Sequence, residues 1–264
     1  MGNWVTGPTL LVVKCGTTTA GVRLAHGDYD RWFARALAGS GVALRVLDVA
    51  AGAALPPGQA VADGVLVTGS PSSVTERAPW MVRTGAWLRR QAGAGVPVLG
   101  VCFGHQLLAE AFGGRVARSP RGREIGTVPC ELTPAGRADP LFEGVPGRFE
   151  AQATHEDEVA ELPPGATVLA ANGWSRVQAF AIGPAVRGVQ FHPELEPSTL
   201  GALAAARAAA LEAEAEARGD DGAARVGAVL AGIRPAPWGG RILRNFLASL
   251  RAATRRPCSS ARPA

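Results

Sequence analysis

Cys102 lies in a sequence context that could make its thiol a nucleophile. The apolar run at residues 98–101 is typical of a buried parallel strand, and residues 107–112 continue with helical spacing. Gly100 and Gly104 flank the cysteine two residues away on each side. A strand that turns at once into a helix leaves no room for side chains at such positions, so the pattern predicts a nucleophile elbow.

An elbow of this kind would present the thiol at the carboxyl end of the strand, with the backbone N–H of Phe103 pointing into the same space. The partial positive charge at the start of the following helix would favour the thiolate. The other interpretation is a buried structural cysteine between two unrelated glycines. Glycine accounts for 34 of the 264 residues, so the spacing alone does not decide between the two.

A thiol that attacks a carbonyl works best beside an imidazole that a third group holds in place. His192 follows an apolar strand-like segment, where α/β proteins place their sites, and the proline after it favours an extended backbone. Glu194 is two residues further on, so it lies on the same side of an extended segment. We therefore predict a triad of Cys102, His192 and Glu194, defined by geometry and not by chain order.

The other histidines offer weaker alternatives for the base. His105 is the competing candidate, since it lies one helical turn after Cys102, but a helix position there favours a role in packing or support. His26 precedes a predicted helix over residues 31–37, for which Asp28 or Asp30 is a suitable N-cap. We expect His26 in the loop that opens this helix.

A turn of small residues, Thr-Gly-Ser-Pro at 68–71, follows the predicted strand at residues 64–68. Such a turn can present backbone N–H groups to an anion. Proline has no N–H, so Gly69 and Ser70 are the candidate donors. Without the cysteine after the next strand along the chain, an ordinary strand-to-helix loop would be the better interpretation.

Strand-like and helical segments alternate through the first part of the chain. The clearest strands are residues 9–14, 43–49, 64–68 and 98–101. This alternation predicts an α/β fold with a parallel sheet and helices on both faces. Residues 121–126 are polar and glycine-rich, and we expect a loop near the entrance of a site there.

The C-terminal part is predicted to be helical. An alanine-rich helix begins at Pro197, with Ser198 as its N-cap, and continues to about residue 218. Two further helices follow, over about 223–233 and 240–252. We expect one domain over residues 1–254, with its core at 8–195, its C-terminal helices at 196–254 and a flexible tail at 255–264.

Composition and charge exclude several classes of partner. There are 27 basic and 22 acidic residues, a net charge of +5, and Lys14 is the only lysine. The arginines are scattered and not clustered with aromatic residues, so we expect no nucleic-acid surface. A signal peptide and a long apolar span are both missing, which predicts a cytoplasmic protein with no membrane contact. The four cysteines do not have the spacing of metal ligands.

Two segments together resemble the class I (triad) glutamine amidotransferase family. They are Gly-Val-Cys-Phe-Gly-His-Gln at 100–106 and Gly-Val-Gln-Phe-His-Pro-Glu at 188–194, in this order and about 90 residues apart. The turn at 68–71 is similar to the family's oxyanion loop. The likeness is greatest to stand-alone members similar to the GMP synthase amidotransferase domain and to γ-glutamyl peptidases, and residues 154–166 support that sub-group.

The resemblance implies a flavodoxin-like three-layer sandwich and hydrolysis of the γ-glutamyl amide of glutamine or a γ-glutamyl compound. Cys102 would be the nucleophile, His192 the base and then the acid, and Glu194 the group that orients the imidazole. A γ-glutamyl thioester would form and be hydrolysed, which needs neither a metal nor an organic cofactor. A separate synthase is a possible partner that would use the ammonia.

The resemblance also implies which groups would surround the substrate. Backbone N–H groups of Phe103 and of Ser70 or Gly69 would form the oxyanion hole. This chain has Gly-Ser-Pro where many relatives have Gly-Gly-Pro, so Ser70 must tolerate the backbone angles of the loop. The substrate itself would contact Gln106, Thr154, His155 and Glu156.

Three kinds of function therefore remain open. The first is a γ-glutamyl hydrolase, acting alone or as the glutaminase component of an amidotransferase. The second is a non-catalytic or regulatory module, against which the intact set of Cys102, His192 and Glu194 argues. The third is a different cysteine hydrolase with a similar elbow, for which a His-Pro-Glu segment is not expected.

Overall fold

The structure of the protein is a computed structural model that describes residues 7–254. The predicted tail at 255–264 lies outside the described residues. The strands are β1 (Thr9–Lys14), β2 (Ala43–Asp48), β3 (Gly64–Val67), β4 (Val98–Val101), β5 (Arg115–Arg118), β6 (Glu124–Leu132), β7 (Arg148–His155), β8 (Asp157–Glu161), β9 (Ala166–Ala171), β10 (Ala179–Ile182) and β11 (Val186–Val189). The helices are α1 (Ala20–His26), α2 (Tyr29–Ala36), α3 (Pro79–Gly93), α4 (Phe103–Ala111), α5 (Pro134–Ala138), α6 (Pro197–Ala206), α7 (Ala208–Glu216), α8 (Gly222–Gly232) and α9 (Gly239–Thr254).

A nine-stranded sheet forms the centre of the molecule, in the order β2-β1-β3-β4-β11-β10-β9-β6-β7. Its first five strands are parallel, and the remaining four join through antiparallel pairs. β5 and β8 form a separate antiparallel pair. Because β4 and β11 are parallel neighbours, with Val101 beside Val189, whatever follows these two strands meets at one edge of the sheet.

Helices cover both faces of the sheet, which gives the predicted three-layer, flavodoxin-like sandwich. Alternate residues of β1 point to opposite faces of the sheet, as expected for a strand. Leu10 and Val12 pack into a core with α2 and with the apolar stripe of α9. Leu11 and Val13 pack into a second core with α3 and α4. Both cores are continuous with β3 and β4, so the strand that precedes Cys102 is buried on each side.

A third apolar cluster joins the C-terminal helices to the body of the molecule. It brings Leu203 of α6, Leu211 of α7 and Val229 of α8 against Tyr29 and Leu195. Tyr29 is the first residue of α2, and Leu195 directly follows the His-Pro-Glu segment. These helices therefore pack beside the edge of the sheet where β4 and β11 end.

Several predicted boundaries are wrong. The sequence pattern does not reveal α1, because only Val22 of this helix is buried and no apolar stripe marks it. His26 ends α1, and the N-cap of α2 is Asp28. The expected loop at 121–126 is already strand β6 from Glu124 onward, because this carboxylate is buried and paired inside the protein.

The alanine-rich stretch is also not one helix. It breaks at Arg207 into α6 and α7, although no glycine or proline lies near this point. Ser198 lies inside α6, and its N-cap is Glu196, followed by Pro197 at the first helical position, where a missing N–H costs nothing.

Candidate active site

The strand-to-helix turn at Cys102 has the geometry of an elbow. Cys102 lies between β4 and α4 and has φ 53° and ψ −105°, one of the few positive φ values at a described non-glycine residue. A Cβ atom on Gly100 would overlap the carbonyl oxygen of Gly104, and one on Gly104 would overlap that of Val67 on the neighbouring strand. Backbone atoms therefore occupy the space that a side chain would need at both positions, so only glycine fits there.

Contacts with two other strands, β11 and β7, fix the position of Cys102. The backbone N–H of Cys102 donates to the carbonyl of Val189 at 2.9 Å, which ties it to β11. Its Sγ is buried and lies 3.9 Å from the carbonyl oxygen of Thr154 on β7. Phe103 is the first residue of α4, so its N–H has no acceptor within the helix. The thiol and this N–H share the carboxyl edge of the sheet.

His192 and Glu194 lie just beyond the end of β11, beside the elbow. The backbone N–H of His192 donates to the carbonyl of Gln152 at 2.8 Å, and its Nδ1 lies 2.7 Å from Oε1 of Glu194. Both side chains are buried. Nε2 of His192 has no hydrogen-bond partner of good geometry among the described residues, so this nitrogen is the one left for chemistry.

The charges around His192 favour its protonated form. Burial by itself lowers the pKa of the imidazole, but the nearby Glu194 and Cys102 outweigh it and raise the pKa to about 10. The thiol of Cys102 is therefore close enough to act on His192 electrostatically. The structure brings the three predicted triad residues together at the ends of two adjacent parallel strands.

The loop after β3 lies against the imidazole. A Cβ atom on Gly69 would be 3.0 Å from Cε1 of His192 and 3.0 Å from Cε1 of Tyr29. Oγ of Ser70 accepts the N–H of Ser72 at 3.1 Å, which stabilises the turn. Ser70 is not among the described residues with positive φ, so the loop accommodates serine in place of glycine without left-handed strain.

Gln106 lies one turn into α4 and is buried. Its Nε2 donates to the carbonyl of Asp157 at 2.8 Å and to Oε1 of Gln190 at 3.1 Å. These bonds join α4 to the segments that follow β7 and β11. The amide nitrogen is therefore engaged within the protein, and the predicted substrate contact of Gln106 stays a prediction.

The three predicted residues at the end of β7 differ in their surroundings. Oγ1 of Thr154 is buried and has no hydrogen-bond partner among the described residues, so it is available to a ligand. His155 is held by Glu124 through Nε2 at 2.8 Å and by the carbonyl of Asp157 through Nδ1 at 3.0 Å. Glu156 pairs with Arg118 and Arg123, at 2.7 and 2.6 Å.

The competing histidine, His105, is fully buried, and it packs against Phe180 at a ring-centroid distance of 4.7 Å. Burial lowers its pKa to about 3, so the ring stays neutral at physiological pH. A neutral, enclosed imidazole is suited to packing, which agrees with the preferred interpretation of this residue.

Sequence reasoning misses several groups of the site. Tyr29, the only tyrosine in the sequence, lies against Gly69, and burial together with the charge of Cys102 raises its pKa. Glu124 falls within the expected loop, yet it accepts hydrogen bonds from Gln178 and Asn172, both at 2.6 Å, besides its contact with His155. Neither Tyr29 nor Glu124 stands within a recognisable local motif, so no signal in the sequence points to them.

Between residues 7 and 254, no group of three or more histidine, cysteine or acidic side chains is arranged to hold a metal ion. Within the same range, no helix has the length and apolar character needed to span a membrane.

Fold and site together define an α/β protein with a cysteine elbow beside a histidine–glutamate pair. The family model described as "Glutamine amidotransferase class-I" matches residues 25–208 of the chain. The chain therefore belongs to the class I glutamine amidotransferase family.

Two relatives and one solved structure are similar to the chain. A GMP synthase [glutamine-hydrolyzing] from Aeropyrum pernix is 34% identical over 201 residues, covering 76% of this chain and 36% of the relative. A single subunit of the GMP synthase [glutamine-hydrolyzing] from Methanopyrus kandleri is 37% identical over 140 residues, covering 49% of this chain and 73% of the relative. A glutamine amido transferase from Methylobacillus flagellatus superposes with a TM-score of 0.74 and 23% identity, covering 98% of this chain and all of that structure, and this likeness concerns the fold alone.

The chain is much shorter than many of its relatives. It spans between 25% and 36% of the length of three GMP synthases that it matches. What those proteins do as a whole is therefore not transferred to this chain by the match.

Proposed function

We propose that the chain hydrolyses the γ-glutamyl amide of glutamine or of another γ-glutamyl compound through a Cys102–His192–Glu194 triad. One observation carries this proposal: Cys102 and the His192–Glu194 pair lie at the carboxyl ends of adjacent parallel strands, β4 and β11. A thiol, an imidazole and an orienting carboxylate in this order are the elements of nucleophilic acyl transfer.

Acylation begins with attack of the Cys102 thiolate on the δ-carbon of the γ-glutamyl amide. A C–S bond forms, and the carbonyl π electrons move onto oxygen to give a tetrahedral oxyanion. When this intermediate collapses, the C–N bond breaks, and the imidazolium of His192 gives its proton to the leaving nitrogen. Ammonia or an amine departs, and a γ-glutamyl thioester remains on Cys102.

Deacylation repeats these steps with water. Neutral His192 takes a proton from a water molecule as its oxygen attacks the thioester carbon. The second tetrahedral intermediate expels the Cys102 thiolate, glutamate leaves, and His192 is again an imidazolium. Glu194 holds the ring by accepting the Nδ1–H bond in both halves, so that Nε2 always faces the reacting atoms.

The backbone N–H groups of Phe103 and of Ser70 or Gly69 are the proposed oxyanion hole. Phe103 begins the helix that follows the nucleophile, and Gly69 lies against His192. The loss of one such donor typically costs about 100- to 1,000-fold in kcat. Gln106, Thr154, His155 and Glu156 are proposed to line the substrate pocket. The backbone carbonyl of Thr154, 3.9 Å from Sγ of Cys102, supports this, as does the unpaired Oγ1 of the same residue.

A second candidate function is a glutaminase that a partner activates and that supplies ammonia to a separate synthase, or a homologue of such a glutaminase that has lost catalysis. The relative from Methanopyrus kandleri is one subunit of a GMP synthase, and the match covers 73% of that subunit. This match favours the second candidate. Both candidates treat residues 1–254 as one domain, which the packing of α9 against the sheet supports.

The proposal is tested by assaying the purified chain against L-glutamine and a panel of γ-glutamyl peptides, with Cys102→Ala as the inactive variant. We expect glutamate release by the wild type and a loss of at least about 1,000-fold in the variant, with the circular dichroism spectrum unchanged. Rapid turnover of peptides but not of glutamine would identify a γ-glutamyl hydrolase. Slow turnover of every substrate would favour the partner-activated glutaminase, and full activity of the Cys102→Ala variant would rule out the nucleophile.

A further inference from the structure

The break between α6 and α7 is not explained by local sequence. Arg207 stands between three alanines on each side, and alanine is the best helix former. Even so, Arg207 leaves the helix, with φ −108° and ψ 8°, and separates the two helices. The preference of the local sequence is for a continuous helix, so it does not account for the break at this arginine.

The guanidinium of Arg207 lies near the candidate active site, within electrostatic range of Cys102 and Glu156. Its Nη1 donates to the carbonyl of Leu203 at 3.2 Å, and Leu203 packs in one apolar cluster with Tyr29. The ring of Tyr29 in turn lies against Gly69, next to His192. Burial lowers the pKa of Arg207, and the charges of Tyr29 and Cys102 act on it in the opposite direction.

Arg207 differs from the other arginines beside the site because it makes no ion pair with any described residue. Arg123 pairs with Glu156 at 2.6 Å and with Glu214 at 3.2 Å, and Arg118 pairs with Glu156 at 2.7 Å. The side chain of Arg207 is half-buried, yet its one hydrogen bond goes to a backbone carbonyl. A partly desolvated cation without a direct ion-pair partner would be stabilised by a bound anion.

We propose that Arg207 binds a carboxylate of the substrate and so restricts the site to γ-glutamyl compounds with a free carboxylate. This inference rests on the proposed function. A γ-glutamyl amide offers its α-carboxylate, and a γ-glutamyl peptide offers a second carboxylate on the leaving amino acid. The planar guanidinium matches either group, because it can donate two parallel hydrogen bonds.

The test compares Arg207→Gln with the wild type on four substrates: L-glutamine, L-glutamine α-amide, γ-L-glutamylglycine and γ-L-glutamylglycine amide. Arg225→Gln is the matched control, because Arg225 lies on α8 of the same C-terminal helical segment and its side chain makes no ion pair with a described residue. On the substrates that carry the bound carboxylate, we expect kcat/KM to fall roughly 10- to 100-fold in Arg207→Gln, the loss of one charge-assisted contact. In Arg225→Gln it should be unchanged.

The pattern of losses identifies the carboxylate. If Arg207 binds the α-carboxylate, the variant loses activity on every substrate except L-glutamine α-amide. If it binds the leaving group, only γ-L-glutamylglycine is affected. An equal loss on all four substrates, or no loss at all, would overturn the assignment. Arg207→Lys keeps the charge and is expected to recover part of the lost kcat/KM, which a variant that merely misfolds would not reproduce.

Failure of the proposed function can be told apart from failure of this inference. If the wild type hydrolyses none of the four compounds, the proposed function is wrong. Calorimetric titration with γ-L-glutamylglycine, which carries both carboxylates, then decides the role of Arg207. Binding that is at least about tenfold weaker in Arg207→Gln than in Arg225→Gln would support it, while equal binding, or no binding by the wild type, would refute it.

Discussion

His192 and His155 each pair with a buried glutamate, and each lies near the end of a strand. His192 lies just beyond β11, and His155 is the last residue of β7. His192 contacts Glu194 at 2.7 Å, and His155 contacts Glu124 at 2.8 Å. The difference is in the second ring nitrogen. Nε2 of His192 has no protein partner of good geometry among the described residues, whereas Nδ1 of His155 is bonded to the carbonyl of Asp157.

The comparison teaches that a buried histidine–carboxylate pair is not by itself a catalytic unit. In one pair the carboxylate orients the ring and leaves a nitrogen facing the nucleophile. In the other, both nitrogens are engaged, Nε2 by the carboxylate of Glu124 and Nδ1 by the carbonyl of Asp157. His155 directly follows Thr154, whose carbonyl oxygen lies 3.9 Å from the thiol. His155 is therefore suited to position the end of β7, and His192 to transfer protons.

Substitution by glutamine should affect activity far more at His192 than at His155, and this is the largest effect that we expect. His192→Gln removes the group that we propose protonates the leaving nitrogen, so we expect kcat/KM for glutamate release to fall by about 1,000-fold or more. The melting temperature is measured in parallel and should fall, because the substitution also removes the buried contact between Nδ1 of His192 and Glu194. Activity above a tenth of the wild-type value would show that another group serves as the base.

Glu194→Gln should have the next largest effect, about 100-fold on kcat/KM, because a carboxamide holds the imidazole less firmly. It also removes one of the charges that oppose the effect of burial on His192, so the pKa of His192 should be lower than in the wild type. The proton needed for the leaving group is consequently lost at lower pH. We expect the alkaline limb of the pH profile of kcat/KM to move toward neutral pH, and an unmoved limb would contradict this account.

Stability gives an independent reading of the same pKa. The pKa of His192 is raised from an ordinary value of about 6.5 to about 10 in the folded protein. Between these two pH values the folded state therefore binds more protons than the unfolded state. The contribution of His192 to stability is therefore complete below pH 6.5 and is lost as the pH rises toward 10. Urea unfolding across this range should show a shallower decline for Glu194→Gln than for the wild type.

Much of this site can be predicted because its chemistry is local in the chain. Gly100, Cys102 and Gly104 form one turn, and His192 and Glu194 are two residues apart. The meeting of β4 and β11 follows from the rule that parallel strands end at one edge of a sheet. The alternation of strands and helices likewise predicts the layered fold.

The parts that sequence reasoning misses depend on contacts across long stretches of sequence. Glu124 is polar and lies in a glycine-rich segment, which favours a loop, yet His155, Asn172 and Gln178 bury it in β6. For Glu124, tertiary contacts override the local preference. Alanines on both sides of Arg207 favour one helix, yet two helices meet there.

His155→Gln should have the smallest effect on catalysis, and it is the most direct test of the comparison. The substitution breaks the bond to Glu124 and leaves that buried carboxylate with fewer donors, so we expect the free energy of unfolding to fall by about 1–3 kcal/mol. kcat/KM should fall less than about tenfold, through displacement of Thr154. Both are measured on the same preparation, by urea titration and by glutamate release. A large loss of activity without a loss of stability would mean that His155, and not only His192, takes part in the chemistry.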